Sequence, residues 1–200
     1  NYILLPSSRL FISKWRSKIK RITLKHIHFI VNPIAGSGKY ALELDDLNSV
    51  FDSNDYKIII KKSNFKKHAI ELTKESINEQ ADIIVACGGD GTINEVASCL
   101  VNTGIPLGII PIGSGNGLAS NLKIPKNIEK AIQKIKANNQ IKIDVGVFNN
   151  HFFFSNCGVG FDASVVKNYE NSESRMLSSY IFSTFKSFRD INYDDSLEVV

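Results

Sequence analysis

"DIIVACGGDGTINEV", residues 82–96, runs from an apolar stretch through three glycines and an aspartate into a pattern that reads as a helix. A short apolar run rich in β-branched residues and closed by glycine predicts a buried strand over residues 82–88. The glycines then allow the chain to turn at once into a helix. Outward from this unit the same alternation recurs. "HIHFIVN" (26–32), "YKIII" (56–60) and "PLGIIPI" (106–112) read as further strands. Between and after them, "YALELDDLNSVF" (40–51), "KKHAIELTKESINE" (66–79) and "NIEKAIQKIKANN" (127–139) carry apolar residues at helical spacing among charges. Strands alternating with amphipathic helices predict an α/β fold, a parallel sheet covered by helices on both faces.

In a parallel sheet all strands end on one edge, and ligands bind there. Three of the four strands run into glycine-rich turns: "NPIAGSGK" (32–39), "GGDGT" (88–92) and "PIGSGNG" (111–117). Glycine lets backbone N–H groups approach a phosphate, and a following helix N-terminus favours an anion. Three such turns on one edge predict a polyphosphate site. Neither common nucleotide motif is complete: Pro33 and Tyr40 break the P-loop pattern, and Leu118 stands where GxGxxG needs glycine. Lys39 is placed either to reach a phosphate or simply to open a helix at the surface. Thr92 followed by Glu95 reads as a capping box that starts a helix. Asp90 is left over by that reading. A carboxylate beside a phosphate turn repels the ligand unless it holds Mg²⁺ or handles a proton, and the sequence leaves both roles open.

Composition bounds the rest. With 200 residues, 43% hydrophobic and 22% charged, the chain has the make-up of a soluble globular protein and no apolar window long enough to span a bilayer. Residues 1–42 carry eight cations and no acid, so the remaining 16 bases face all 20 acids. "RLFISKWRSKIKRITLK" within that extension suits either an anionic membrane surface or a solvated basic arm. Cys87, Cys99 and Cys157 lack metal or disulfide spacing and read as small, buried apolar residues in a reducing compartment. The chain begins with Asn1 and stops on "SLEVV", which reads as a strand just starting, so a longer protein is expected.

After Asn139 the texture becomes strand-rich, with a hairpin turn expected at Asn149–Asn150. The expected layout is a basic extension (1–25), an α/β unit (26–139) and a β-rich unit (140–200). "MLSSYIFSTFKSF" (176–188) then presents Leu177, Ile181, Phe185 and Phe188 at helical spacing, as core or as the lining of a lipid pocket.

"VNPIAGSGK", "GGDGTINEV", "PIGSGNGLA" and "CGVGFDA" together resemble the successive motifs of the diacylglycerol kinase catalytic-domain family, which includes sphingosine and ceramide kinases. The resemblance spans about residues 26–190. It implies a three-layer α/β/α nucleotide domain similar to phosphofructokinases and NAD kinases, then a β-sandwich that holds the lipid, with ATP and Mg²⁺ between them. Carried over by position, Asn32, Gly36, Ser37, Gly38 and Lys39 would border the nucleotide. Gly88, Gly89, Gly91 and Thr92 would cradle phosphates with Glu95 in support, and Gly113, Ser114, Gly115 and Asn116 would complete the site. Asp90 would be the catalytic base or an organiser of the transfer. Asp162 would sit near the acceptor head group. The implied activity is γ-phosphoryl transfer to a primary hydroxyl of a membrane lipid by a cytoplasmic protein, peripheral at an anionic membrane, with room for a homodimer and no nucleic-acid partner. Ser114 and Gly117 depart from the "GTGND" form common in bacterial diacylglycerol-type members and lean toward the sphingosine type. Kinase action on a soluble acceptor such as NAD, and a non-catalytic nucleotide or lipid sensor, are the competing readings.

Overall fold

A computed structural model describes residues 24–36, 42–155 and 157–158. Four parallel strands, β1 (Lys25–Val31), β2 (Tyr56–Lys62), β3 (Ile83–Gly88) and β4 (Leu107–Pro111), form one sheet in the order β2-β1-β3-β4. Each lies within two residues of its predicted span at either end. The helices are α1 (Leu44–Asn48), α2 (His68–Asn78), α3 (Asp90–Leu100), α4 (Gly117–Asn121) and α5 (Ile128–Ala137). The helix read over residues 40–51 shrinks to α1, with a turn after it that carries Phe51 edge-on against Phe29 and Tyr56.

The strand residues divide between two cores because side chains alternate across a sheet. Ile27, Phe29, Val85 and Ile110 pack with Leu47 of α1 and Ile132 of α5. On the opposite face Ile30, Ile84 and Ile109 pack with Leu72 of α2, Val96 of α3 and Leu118 of α4. This is the three-layer α/β/α arrangement. Central β3 is buried along its whole length, which explains the unbroken apolar run from Ile83 to Cys87.

The chain moves outward from β1 to β2, then returns past β1 to β3. Adjacent β1 and β3 therefore send their following connections to opposite sides, and a crevice opens beyond their C-terminal ends.

Past α5, residues 139–145 lack regular structure. They lead to the antiparallel hairpin β5 (Gly146–Phe148) and β6 (His151–Phe153). Asn149 and Asn150 both have positive φ, 47° and 61°, as the predicted turn requires. The hairpin is tied to the α/β unit: Phe154 packs on the second core and Asn121 donates to Ser155 Oγ at 3.2 Å. The basic extension before Leu24, the aromatic segment 176–188 and most of the predicted β-rich unit lie outside the described residues. Cys87 is buried as expected, whereas Cys99 is half-buried and Cys157 exposed.

One polar group in β1 has a measurable consequence. His28 is fully buried, neither ring nitrogen has a hydrogen-bond partner among the described residues, and the Glu79 carboxylate lies 3.6 Å from Nδ1. Burial lowers its pKa below the ordinary value, with Glu79 opposing that shift and Lys61 adding to it. Just below an unfolded-state value of about 6.5, the folded protein binds fewer protons than the unfolded chain. Stability therefore rises with pH in that window and is lost as pH falls. His28→Phe should flatten this slope, as read by urea unfolding between pH 5 and 8; an unchanged slope would assign it to other groups.

Candidate functional site

The crevice beyond β1 and β3 is built from the chain turns that leave them. Asn32, the first residue past β1, continues the ladder by donating its N–H to the Cys87 carbonyl at 2.9 Å. Its side chain works in both directions. Oδ1 accepts from Ile34 N–H at 3.2 Å and bends the first turn, while Nδ2 donates to Thr92 Oγ1 at 3.1 Å and links that turn to α3.

Thr92 is buried and does not cap α3. The helix begins at Asp90 with Gly89 as its N-cap residue and no side-chain cap, so the predicted capping box of Thr92 and Glu95 is overturned. Two glycines carry β3 directly into the helix, which starts three residues earlier than the box requires. Glu95 instead lines the cleft that residues 63–67 also line. Burial raises its pKa, and the Lys67 and Ala69 backbone and the charges of Lys66 and Lys67 oppose the shift.

The first bond of the α3 ladder is donated by Ile93 to the Gly89 carbonyl. The amides of Asp90, Gly91 and Thr92 come before it, at the helix N-terminus, where backbone N–H groups and the helix dipole favour an anion.

The third turn is fastened to the second. Gly113 N–H reaches the Gly88 carbonyl at 3.3 Å and Asn116 Oδ1 at 3.1 Å. Asn116, at φ 63°, folds its side chain back and also donates from Nδ2 to the Gly113 carbonyl. Asp90 spans the gap: Oδ2 accepts from Asn116 N–H and Oδ1 from Gly117 N–H, each at 2.7 Å. The turns also meet backbone to backbone. A Cβ on Gly36, itself at φ +63°, would lie 2.2 Å from the Ile112 carbonyl oxygen, and one on Gly113 would lie 2.4 Å from Gly89 Cα. No side chain of any size fits between these turns.

Together they wall a cleft of 540 Å³. Asn32, Gly36, Gly89, Asp90, Gly91, Thr92, Glu95, Gly113, Ser114 and Gly115 all line it, so most of the predicted residues are brought together. Gly88 and Asn116 are not among the lining residues; Gly88 lies beneath Thr92, and Asn116 is 2% exposed. Ser37, Gly38, Lys39 and Asp162 lie outside the described residues.

One wall was not anticipated. Residues 63–67, between β2 and α2, complete the cleft. There Phe65 stacks on His68 with ring centroids 4.2 Å apart, and Asn64 N–H donates to His68 Nδ1 at 3.0 Å. The available signal was topological, since a fourth parallel strand must open on the same edge.

Gly91 separates turn geometry from ligand contact. A Cβ there meets nothing within 4 Å. Gly91→Ala should keep or raise stability, by about 0.5–1 kcal/mol as an alanine replaces glycine in a helix. The added methyl should weaken nucleotide binding, and calorimetric titration with ATP alongside thermal melting checks both; unchanged affinity would remove Gly91 from the phosphate cradle.

A sequence profile described as the diacylglycerol kinase catalytic domain matches residues 26–148, more than half of the chain and all four walls of the cleft. The chain belongs to the diacylglycerol kinase catalytic-domain family. It is 29% identical over 133 residues to a diacylglycerol kinase of Staphylococcus aureus (strain MRSA252), covering 66% of this chain and 42% of that protein. It is 34% identical over 175 residues to an uncharacterized protein of Synechocystis sp., covering 82% of this chain and 40% of that one. Among solved structures, a putative diacylglycerol kinase from Bacillus anthracis str. Sterne aligns with a TM-score of 0.57 at 28% identity, over 66% of this chain and 47% of that one. The chain thus spans less than half the length of these relatives.

Proposed function

We propose that the protein is an ATP-dependent lipid kinase, transferring the γ-phosphoryl group of MgATP to a primary hydroxyl of diacylglycerol or a sphingoid base at a membrane surface. The observation that carries this reading is the convergence of three interlocked glycine turns and the amide-bearing start of α3 on one cleft, with the Asp90 carboxylate between them. The amides of Asp90, Gly91 and Thr92 would bind phosphate oxygens. Phosphoryl transfer runs through a loose transition state, so a rigid cradle that aligns donor and acceptor supplies most of what the reaction needs.

Among the described residues Asp90 and Glu95 are the carboxylates that line the cleft. Asp90 stands at the amide-bearing start of α3, and its two oxygens each accept one amide and retain a second lone pair. It would accept the proton of the attacking hydroxyl or share in holding Mg²⁺. Among the described residues no three His, Cys, Asp or Glu side chains form a metal cage. This donor set fits Mg²⁺ held mainly by nucleotide phosphates and water, with Asp90 as the protein's ligand; bound there, the ion neutralises charge on the β- and γ-phosphates.

No helix among the described residues is long and apolar enough to cross a membrane. The acceptor is proposed to be met by peripheral contact. The test is to supply the full-length protein with ATP labelled in the γ-phosphate, Mg²⁺ and a mixed lipid extract, then identify the labelled product. Label in a lipid phosphate ester is expected. Label in a soluble acceptor, or none, overturns the reading.

A further inference from the structure

Charge is divided between the two edges of the parallel sheet. Residues 43–82, which include edge strand β2, carry nine acids against six lysines. Residues 96–143, which include the opposite edge strand β4 and the helix α5, carry six lysines and a single acid, Glu129. All six of those lysines are exposed.

The lysines gather on α5 and the loop before it. The helix packs Ala131 and Ile132 into the first core, with Ile128 and Ile135 partly buried beside them. Lys130 and Lys134, four residues apart, are neighbours on its outward side. Lys134 Nζ donates to the Lys123 carbonyl at 3.5 Å, which brings Lys123 to the same face, and Lys126 lies one turn before Lys130. Glu129 falls in another row, 129–133–136, on the flank where Lys136 donates to the Val50 carbonyl. Among the described residues none of Lys123, Lys126, Lys130 and Lys134 joins an ion pair. A Cβ on Gly108, at the start of β4, would meet Ile135, near the end of α5, at 3.4 Å. The helix therefore runs back from the edge on which the cleft opens, and Lys126 and Lys130 stand at its cleft end.

We propose that this face, carrying Lys123, Lys126, Lys130 and Lys134, docks the protein on an anionic lipid bilayer. Lysines are point charges on flexible stems, which suits the diffuse negative potential of a headgroup surface. Nucleic-acid surfaces add arginine forks and stacked aromatic rings, and residues 120–143 contain no arginine and no aromatic residue. The more acidic β2 edge would face away from the membrane, so the division of charge orients the protein as well as holding it. The choice of a lipid partner rests on the kinase reading; the basic face itself does not.

Flotation of the full-length protein with phosphatidylcholine vesicles, with and without phosphatidylglycerol and in the absence of nucleotide, tests the face. Lys126→Gln, Lys130→Gln and Lys134→Gln together should weaken binding to the anionic vesicles by about 10²-fold, at about five-fold per lysine. Thermal melting should be unchanged, since glutamine keeps the helix propensity of lysine. Lys57→Gln, Lys62→Gln and Lys74→Gln remove the same charge from exposed positions on β2 and α2. That second triple variant should alter binding by less than about three-fold, because its charges lie across the sheet and are screened from the membrane. Equal losses in the two triple variants would overturn the proposal, since net charge and not this face would then govern binding. So would undiminished vesicle binding in the first variant, or a wild type that floats no better with anionic vesicles than with neutral ones. Loss of duplex DNA binding in the first variant with vesicle binding kept would overturn it in favour of a nucleic-acid partner. Flotation needs no turnover, so a protein that docks through this face yet phosphorylates no lipid separates failure of the kinase reading from failure of this one.

Discussion

Asp90→Asn is expected to lower phosphoryl transfer by about 10²-fold or more, the usual worth of a positioned proton acceptor, and to loosen the site as well. The second effect follows from hydrogen-bond inventory. Both carboxylate oxygens accept backbone amides, from Asn116 and Gly117 at 2.7 Å each. Asparagine brings one acceptor oxygen and one NH₂ group, so one of those amides would face another donor. Asp90 is exposed, so water softens the loss, and the cost should be near 1 kcal/mol. A melting temperature lowered by a few degrees should accompany the fall in turnover, together with weaker ADP binding as the third turn slackens. Asp90→Ala leaves both amides to water and should lose as much rate. Steady-state kinetics on the full-length protein, thermal melting and ADP titration measure the three quantities. Wild-type turnover in Asp90→Asn would reduce the residue to a tie between turns.

Gly113→Ala should damage the fold most among the glycine substitutions at the α3 side of the cleft. The new methyl would sit 2.4 Å from Gly89 Cα and 2.9 Å from Asn116 Oδ1. Its nearest neighbour is backbone at the start of α3, with no flexible side chain to swing aside. Separating the second and third turns should cost about 1–3 kcal/mol. It would also stretch the bonds from Gly113 N–H to Gly88 and Asn116, so nucleotide binding should be lost with it. Gly89→Ala provides the comparison. Its Cβ would lie 3.3 Å from Gly113 Cα, a contact that small shifts relieve. Urea unfolding should rank Gly113→Ala well below Gly89→Ala, and equal stabilities would show that the turns are not in firm contact.

The strands were legible because β3 is buried and written in continuous apolar residues, β1 is mostly buried and apolar around its histidines, and β2 and β4 follow the same vocabulary at the edges. The glycine turns were legible for a related reason: glycine appears where two turns touch, and that requirement leaves a spacing in the chain. Residues 63–67 make no such demand and carry no glycine, so the fourth wall left no mark of its own. Thr92 and Glu95 show the limit of a local motif. Their spacing suits a cap, but the helix starts earlier at Asp90, Asn32 claims the Thr92 hydroxyl, and Glu95 lines the cleft. Asn116 shows another limit, since the family resemblance placed it at the site while its amide is consumed within its own turn. Which acceptor a polar side chain finds is decided by chain segments distant in sequence.

The turns around the cleft grip one another chiefly through main-chain atoms: Gly36 against the Ile112 carbonyl, Gly113 against Gly89, and the Asp90 carboxylate on two amides. Architecture of this kind depends little on the identity of side chains at the rim, such as Ile34, Phe65 and Ser114. Substitution at those positions should leave the interlocked turns beneath them undisturbed. Under the kinase reading, the rim could then be refitted for a different acceptor while the turns stay as they are.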